Sequence, residues 1–217
     1  MIKLNSWLLD KILLLPAIMI GLTVHEFAHA YVADKLGDKT PKFQGRLTLN
    51  PFVHLDPFGF MMILLVGFGW AKPVQTNPGA YKNFYKDDLK VSLAGPLSNL
   101  LVAFLGAVLI GILSRTGMLD MTGSSNMSSV IISILSAVIS INCMLFVFNL
   151  IPLPGLDGFH ALRDLAPGFF NRISDSIYRY QLIILMVFVA TPLSTYIVGV
   201  PAGMLYYSFI RFVNLIF

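Results

Sequence analysis

Apolar runs long enough to cross a lipid bilayer recur along this 217-residue chain. A transmembrane helix needs about 20 consecutive apolar residues. Four runs reach that length, at residues 12–34, 89–113, 129–151 and 181–217, and "VGVPAG" interrupts the last, which can form one or two spans. Only 12% of the residues are charged, whereas soluble domains carry about 25%. The sequence therefore predicts an all-α polytopic membrane protein with five or six transmembrane helices, in a single membrane-embedded domain over residues 1–217.

The segment from residue 43 to residue 71 differs from these spans. Apolar residues or glycine alternate with polar residues over 43–49, which is the period of a strand, and Asn50-Pro51 ends this pattern. Residues 58–71 are apolar, but as a helix they would reach only about 20 Å into a hydrocarbon core of about 30 Å. We therefore expect a short re-entrant β-hairpin or loop that dips into the membrane and returns.

Charge supports a membrane location and argues against a nucleic-acid partner. The net charge is +4, but the Lys and Arg residues lie in short segments flanking the apolar runs, as they do in cytosolic loops. If residues 58–71 return to the side they left, the basic loops on both sides of them share one face with the segment after residue 151. The positive-inside rule then predicts that this face is cytosolic and that the N-terminus lies outside.

The run "IMIGLTVHEFAHAYVADKLGD" places two histidines and the chain's only glutamate near the end of the first span. On a helix, His25 and His29 lie one turn apart on one face and can bind one Zn²⁺, with Glu26 placed to act on water as general base. A role as helix caps would explain the histidines but not Glu26. An ionisable group within a membrane helix costs about 2.5 to 3.5 kcal/mol and therefore indicates function.

A catalytic zinc site needs a third protein ligand. A second glutamate is excluded, so the candidates are His54, Asp56, Asp157, His160 and the loop aspartates. Asp157 is favoured because the prolines and glycine in "PLPGLDG" break the preceding span, and a broken helix can direct a carboxylate inward. As a lone Asp-Gly pair it would equally suit a turn.

These motifs together resemble a known family. The H-E-x-x-H motif is followed by N-x-x-P-x-x-x-L-D-G at residues 149–158, and "GWAKPVQTNP" and "AGPLSNLL" lie between the two. The pattern is similar, over about residues 20–165, to the site-2 proteases, intramembrane zinc metalloproteases of peptidase family M50, in their compact bacterial branch without PDZ or CBS domains. This resemblance implies cleavage of membrane proteins within or near a transmembrane segment, in a bacterial plasma membrane.

The resemblance also implies roles for individual residues. His25, His29 and Asp157 would bind Zn²⁺, Glu26 would be the general base, and Asn149 would contact the substrate backbone or the oxyanion. Two weaker substrate-binding candidates are Asn99, which either faces the site or joins packed helices, and His54, which either supports the site or anchors the hairpin.

The expected partners are a transmembrane protein or peptide substrate and the lipid bilayer. We expect the strand near residues 43–49 to accept the substrate by β-strand addition. A divalent-metal transporter and a non-catalytic membrane chaperone remain as alternatives, although a transporter would be expected to place polar residues along a path rather than at one depth. The sequence gives no signal for an oligomeric state.

Overall fold

A computed structural model of the chain describes residues 6–66, 69–119 and 125–217, with side chains described from residue 11. These residues form α-helices, one 3₁₀ turn and one π-helical turn, and no strand occurs among them. The α-helices are α1 (Ser6–Leu36), α2 (Thr40–Phe43), α3 (Pro51–His54), α4 (Pro57–Val66), α5 (Phe84–Arg115), α6 (Asn126–Asn149), α7 (Asp157–Leu165), α8 (Pro167–Arg179), α9 (Gln181–Ala190) and α10 (Val200–Ile216). The 3₁₀ turn is Pro78–Ala80 and the π-helical turn is Thr195–Gly199.

Four of the described helical segments are long and apolar enough to cross a membrane: Lys11–Leu36, Phe84–Arg115, Asn126–Asn149 and Thr195–Ile216. A fifth span results if α8 and α9, which meet at a bend of 80°, are counted as one. The all-helical architecture with helices able to span a membrane agrees with the prediction, whereas the described residues offer at most five spans, one fewer than the upper predicted count.

The core of the bundle lies between α5, α6 and α10. Its buried residues include Ala103 and Ala107 of α5, Ile139 and Cys143 of α6, and Ala202 of α10. Small residues let helices approach closely. In a membrane the hydrophobic effect does not drive helices together, so this close packing is a main source of their association. This packing leaves the carboxyl half of α1 and the amino half of α5 to form the polar part of the bundle.

The C-terminal run breaks at a different place from the one predicted. "VGVPAG" does not end a helix, because the chain is helical from Thr195 to Ile216. Proline cannot donate a backbone hydrogen bond and its ring crowds the preceding turn. Here the turn before Pro201 widens into a π-helix, in which the amide of Val200 donates to the carbonyl of Thr195. The break lies instead between Ala190 and Thr195.

The predicted strand at residues 43–49 is wrong. Residue 43 ends α2, Gly45 turns the chain with φ +69°, and the following residues are irregular. The alternation does not produce an apolar buried face, because Phe43 is 86% exposed whereas the polar Arg46 is only 5% exposed. Hydrogen bonds to backbone carbonyls, rather than apolar periodicity, determine the conformation here, since Arg46 donates to the carbonyls of Val53, Lys72 and Pro73.

The segment of residues 55–71 folds back on itself, so that its two ends lie side by side. Leu55 and Ala71 form an isolated antiparallel bridge, and a Cβ on Gly69 would lie only 2.0 Å from the carbonyl oxygen of Gly59. The outgoing arm is α4 and the returning arm is irregular, so this is not a β-hairpin; residues 67 and 68, between the arms, lie outside the described part. Asn77 donates its amide to Asp38 (2.6 Å), which places both flanks of this segment at one end of the bundle.

Candidate metal centre

Three side chains from two distant parts of the chain converge on one point. Nε2 of His25 and Nε2 of His29 are 3.1 Å apart. Asp157 Oδ2 lies 3.2 Å from His25 Nε2, and Asp157 Oδ1 lies 3.3 Å from His29 Nε2. The histidines belong to consecutive turns of α1, and Asp157 is the first residue of α7.

These separations fit a tetrahedral zinc ion. Zinc bonds to nitrogen and carboxylate oxygen are about 2.0 to 2.2 Å long, which puts neighbouring ligand atoms of a tetrahedron about 3.3 to 3.5 Å apart. The observed distances of 3.1 to 3.3 Å are slightly shorter but close to this range. Asp157 Oδ2 is buried and accepts no hydrogen bond from the described residues. The donor set and its spacing therefore suit a divalent cation with two imidazoles and one carboxylate.

The other ring nitrogens are held so that the Nε2 atoms carry lone pairs. His29 Nδ1 lies 2.7 Å from the carbonyl of Val91, which can only accept, so Nδ1 carries the hydrogen. His25 Nδ1 donates to Asn99 Oδ1 at 2.7 Å. Asn99 is held in this orientation because its Nδ2 donates to the carbonyl of Gly21 (3.0 Å) and to Asn142 Oδ1 (2.8 Å). With both hydrogens on Nδ1, the Nε2 lone pairs would repel each other at 3.1 Å unless a cation lay between them.

A glycine brings α5 against the two imidazoles. A Cβ on Gly95 would lie 2.3 Å from His29 Nε2 and 2.6 Å from His25 Cε1, closer than real Cβ contacts. The "AGPLSNLL" segment thus supplies two features of the site, the close approach at Gly95 and the amide of Asn99. Asn99 was named as a candidate from the sequence, whereas Gly95 was given no role in the site.

A glycine also allows the helix that carries Asp157 to pack closely against the residues that follow α6. A Cβ on Gly158 would lie 2.3 Å from the carbonyl oxygen of Leu150, so only glycine lets α7 start so close to the end of α6. Two helices, α7 and α8, follow the break in the preceding span. As the first residue of α7, Asp157 also has its charge at the favourable end of a helix dipole.

Glu26 lines the same pocket as the three converging side chains. Glu26 is 8% exposed, and its Oε2 accepts the amide hydrogen of Val74 at 2.8 Å. The pocket has a volume of about 380 Å³, and its wall includes Pro73, Val74 and Asn149. We call residues 72–77 the strap, since this irregular segment contributes to the pocket wall and its Val74 amide binds Glu26.

The three substrate-binding candidates lie in different environments. Asn149, the last residue of α6, lines the pocket, and its Nδ2 donates to the carbonyl of Leu145 (3.0 Å). Asn99 is fully buried and contacts His25 rather than the open pocket. His54 is also fully buried, away from the pocket lining, and its Nε2 donates to the carbonyl of Thr48 (2.7 Å).

Two charged residues that line the pocket, Asp88 and Arg163, were not among the predicted site residues. Arg163 of α7 donates to Asp88 of α5 and, at 2.9 Å, to Asp164, and both Arg163 and Asp88 line the pocket. Burial raises the pKa of Asp164, against the opposing effect of Arg163. The ion pair between Asp88 and Arg163 links α7, the helix that begins with Asp157, to α5.

Comparison with known proteins identifies the family of the chain. The model of peptidase family M50 matches residues 113–193. A Bacillus subtilis protein named "Putative zinc metalloprotease YwhC" is 43% identical over 184 residues, covering 85% of this chain and 83% of that protein. "Putative zinc metalloprotease Rip2" of Mycolicibacterium smegmatis is 30% identical over 189 residues, covering 83% of this chain and 68% of its own length. No solved structure matches the chain significantly. With these relatives matched over most of their length, the chain belongs to peptidase family M50.

Proposed function

We propose that this protein is an intramembrane zinc metalloprotease that hydrolyses peptide bonds within or near transmembrane segments of membrane proteins. The observation that carries the proposal is the convergence of three metal-ligating side chains beside a buried carboxylate in one pocket: the two Nε2 atoms are 3.1 Å apart, and each lies 3.2 or 3.3 Å from one oxygen of Asp157. Membership of family M50 and the names of the relatives support the same activity.

His25, His29 and Asp157 would hold the zinc ion. Zinc with three protein ligands supplies Lewis acidity, which makes water nucleophilic near neutral pH and polarises a peptide carbonyl. Asn99 and the carbonyl of Val91 keep the imidazoles in the tautomer that this binding needs.

Glu26 is the proposed general base. The Val74 amide fixes one carboxylate oxygen, Oε2, and this leaves Oε1 to take a proton from the attacking water and pass it to the departing amine. The position of Glu26 in the pocket beside the ligands supports this role, because the substrate carbonyl would have to enter the same pocket.

Asn149 is the proposed contact for the substrate backbone or the oxyanion. It lines the pocket at the end of α6, and its side-chain amide would have to exchange the Leu145 carbonyl for the substrate oxygen. One such donor is worth about 2.7 to 4 kcal/mol in other enzymes. Helical substrates have their carbonyls hydrogen-bonded, so the substrate segment must unwind locally before it can reach these groups.

Two substitutions separate the base from the ligands. Glu26→Gln should abolish cleavage of a membrane-protein substrate while zinc content stays near one per chain, because Glu26 does not bind the metal. Asp157→Ala should lower both zinc content and cleavage, and Asp175→Ala, on the exposed side of α8, is the matched control. Full zinc content and full activity in Asp157→Ala would contradict the proposed site.

We also propose that the protein resides in a bacterial plasma membrane with the site near the cytosolic face. The hydrogen bond between Asp38 and Asn77 supports this, since it joins the two basic loops at the end of the bundle where the pocket lies. Single cysteines placed by Lys39→Cys and Lys82→Cys, in a Cys143→Ala background, should both react with a membrane-impermeant maleimide only from the cytosolic side. Reaction from opposite sides would show that residues 58–71 cross the membrane.

A further inference from the structure

Arg46 is a buried cation in the loop between α2 and α3. Its side chain donates to the backbone carbonyls of Val53, Lys72 and Pro73, the last two at 2.8 Å. Among the described residues no carboxylate forms an ion pair with it. A guanidinium carries five fixed donors, and a buried charge is costly unless its hydrogen bonds are satisfied. Arg46 therefore organises backbone rather than balancing a neighbouring acid.

Two of those carbonyls belong to the strap, and one of them shares a peptide group with the amide that binds Glu26. Arg46 donates to the carbonyl of Pro73 (2.8 Å), and the amide of Val74 donates to Glu26 Oε2 (2.8 Å). The carbonyl of Pro73 and the amide of Val74 form a single planar unit, and the described chain contains no cis peptide bond. A guanidinium and a carboxylate thus lie on opposite edges of one peptide plane.

This arrangement couples the two charged groups mechanically and electrostatically. In a trans peptide the C=O and N–H point in opposite directions, so a rotation of the plane breaks both hydrogen bonds together. A cation at the oxygen also polarises the unit and strengthens donation by its N–H, as in other chains of hydrogen bonds. Further bonds hold the strap, from Lys72 N to His54 O and from Asn77 N to Asp38, but neither involves the 73–74 peptide.

We propose that Arg46 is a positioning residue, which sets the orientation of the Glu26 carboxylate through the Pro73–Val74 peptide. The proposal rests on the proposed role of Glu26 as general base. Arg46 touches neither substrate nor metal, so its removal should lower kcat with little change in KM or zinc content.

The test uses the full chain in detergent with Arg46→Gln, Arg46→Lys and the control Arg115→Gln. Arg115 also donates to a backbone carbonyl, that of Phe217, but far from the pocket. Arg46→Gln should lower kcat by about 100-fold, the scale of a catalytic group displaced by about 1 Å. Arg46→Lys should lie between wild type and Arg46→Gln, since lysine keeps the charge but lacks the planar fork. Arg115→Gln should match wild type.

A second substitution tests whether Arg46 acts on Glu26 through the Pro73–Val74 peptide. Val74→Pro removes the amide hydrogen that binds Glu26 and should lower kcat on its own. In that background, Arg46→Gln should change kcat by no more than about twofold, because both changes break the same connection. Independent, multiplicative losses of kcat would overturn the proposal.

Hydrogen exchange of the strap gives a readout that does not depend on activity. Exchange is measured by mass spectrometry of the peptide that covers residues 72–77. The amides of this peptide should exchange faster in Arg46→Gln than in wild type, and in Arg115→Gln they should exchange at the wild-type rate. Unchanged exchange would overturn the proposal even if kcat fell, and Arg46→Lys serves the same comparison should Arg46→Gln fail to fold. Retained cleavage by Glu26→Gln would instead refute the proposed function, while exchange would still report on Arg46.

Discussion

The substitution Gly95→Ala tests whether the zinc site depends on the close approach of α5 to α1. A Cβ at residue 95 would lie 2.3 Å from His29 Nε2, whereas ordinary contacts begin at 3.4 Å. The imidazole or the helix must therefore move by the difference, about 1.1 Å. Metal–ligand distances tolerate only about 0.2 Å. His25 meets the same obstacle, since the Cβ would lie 2.7 Å from its Nε2.

We expect Gly95→Ala to lower zinc affinity by about 100-fold, the upper end of the loss seen when a supporting group is removed. Loss of helix cannot be the cause, because alanine favours a helix interior over glycine by about 1 kcal/mol. Gly203→Ala in α10 is the matched control, since no atom lies within 4 Å of its added Cβ. That variant should bind zinc as wild type does and unfold at the same or a higher temperature.

The assay is competition for zinc between the purified protein and a chromogenic chelator, followed by cleavage of a membrane-protein substrate. Helix content by circular dichroism should be equal in wild type and both glycine variants. If Gly95→Ala bound zinc as tightly as Gly203→Ala does, the ligands would not lie where α5 touches them, and the proposed metal site would be wrong.

Three further substitutions probe the supports of the site. Asn99→Leu removes the acceptor that fixes the His25 tautomer and should lower zinc affinity 10- to 100-fold in the same chelator competition. Gly158→Ala would put a Cβ 2.3 Å from a backbone carbonyl just past α6, so zinc content and cleavage should both fall while helix content stays unchanged. Arg163→Met leaves Asp88 buried without its partner, and thermal unfolding in detergent should show a destabilisation of about 3 kcal/mol.

The features that sequence reasoning found are those that depend on short spacing. Two histidines four residues apart lie on one face of a helix. A long apolar run in a membrane must be helical, because only then do its backbone N–H and C=O groups all find hydrogen-bond partners. The ends of α1, α5 and α6 lie within six residues of the predicted spans, and the largest differences are at the amino ends of α1 and α5. Asp157 is farther along the chain, and its place in the site was favoured by a break in the helix pattern and by the resemblance rather than by spacing.

The features that sequence reasoning missed depend on contacts between distant residues. Alternation over residues 43–49 predicted a strand, but the partners of Arg46 lie at residues 53, 72 and 73, which no local period reveals. The Val74 amide is likewise 48 residues from Glu26. Periodicity treats polar residues as solvent-facing, whereas Arg46 is buried and donates to backbone carbonyls.

Packing in the bundle and the chemistry of the site depend on the same buried amides. A chain of hydrogen bonds leads from the carbonyl of Val138 through Asn142 and Asn99 to Nδ1 of His25. Buried amides in an apolar bundle are tolerated only when each donor and acceptor has a partner. These partners come from α1, α5 and α6, and Gly21 lets α1 approach Asn142 closely enough for the chain to close. Because the last link fixes which nitrogen of His25 is free for metal, a substitution as far away as Asn142 should alter zinc binding without touching the site.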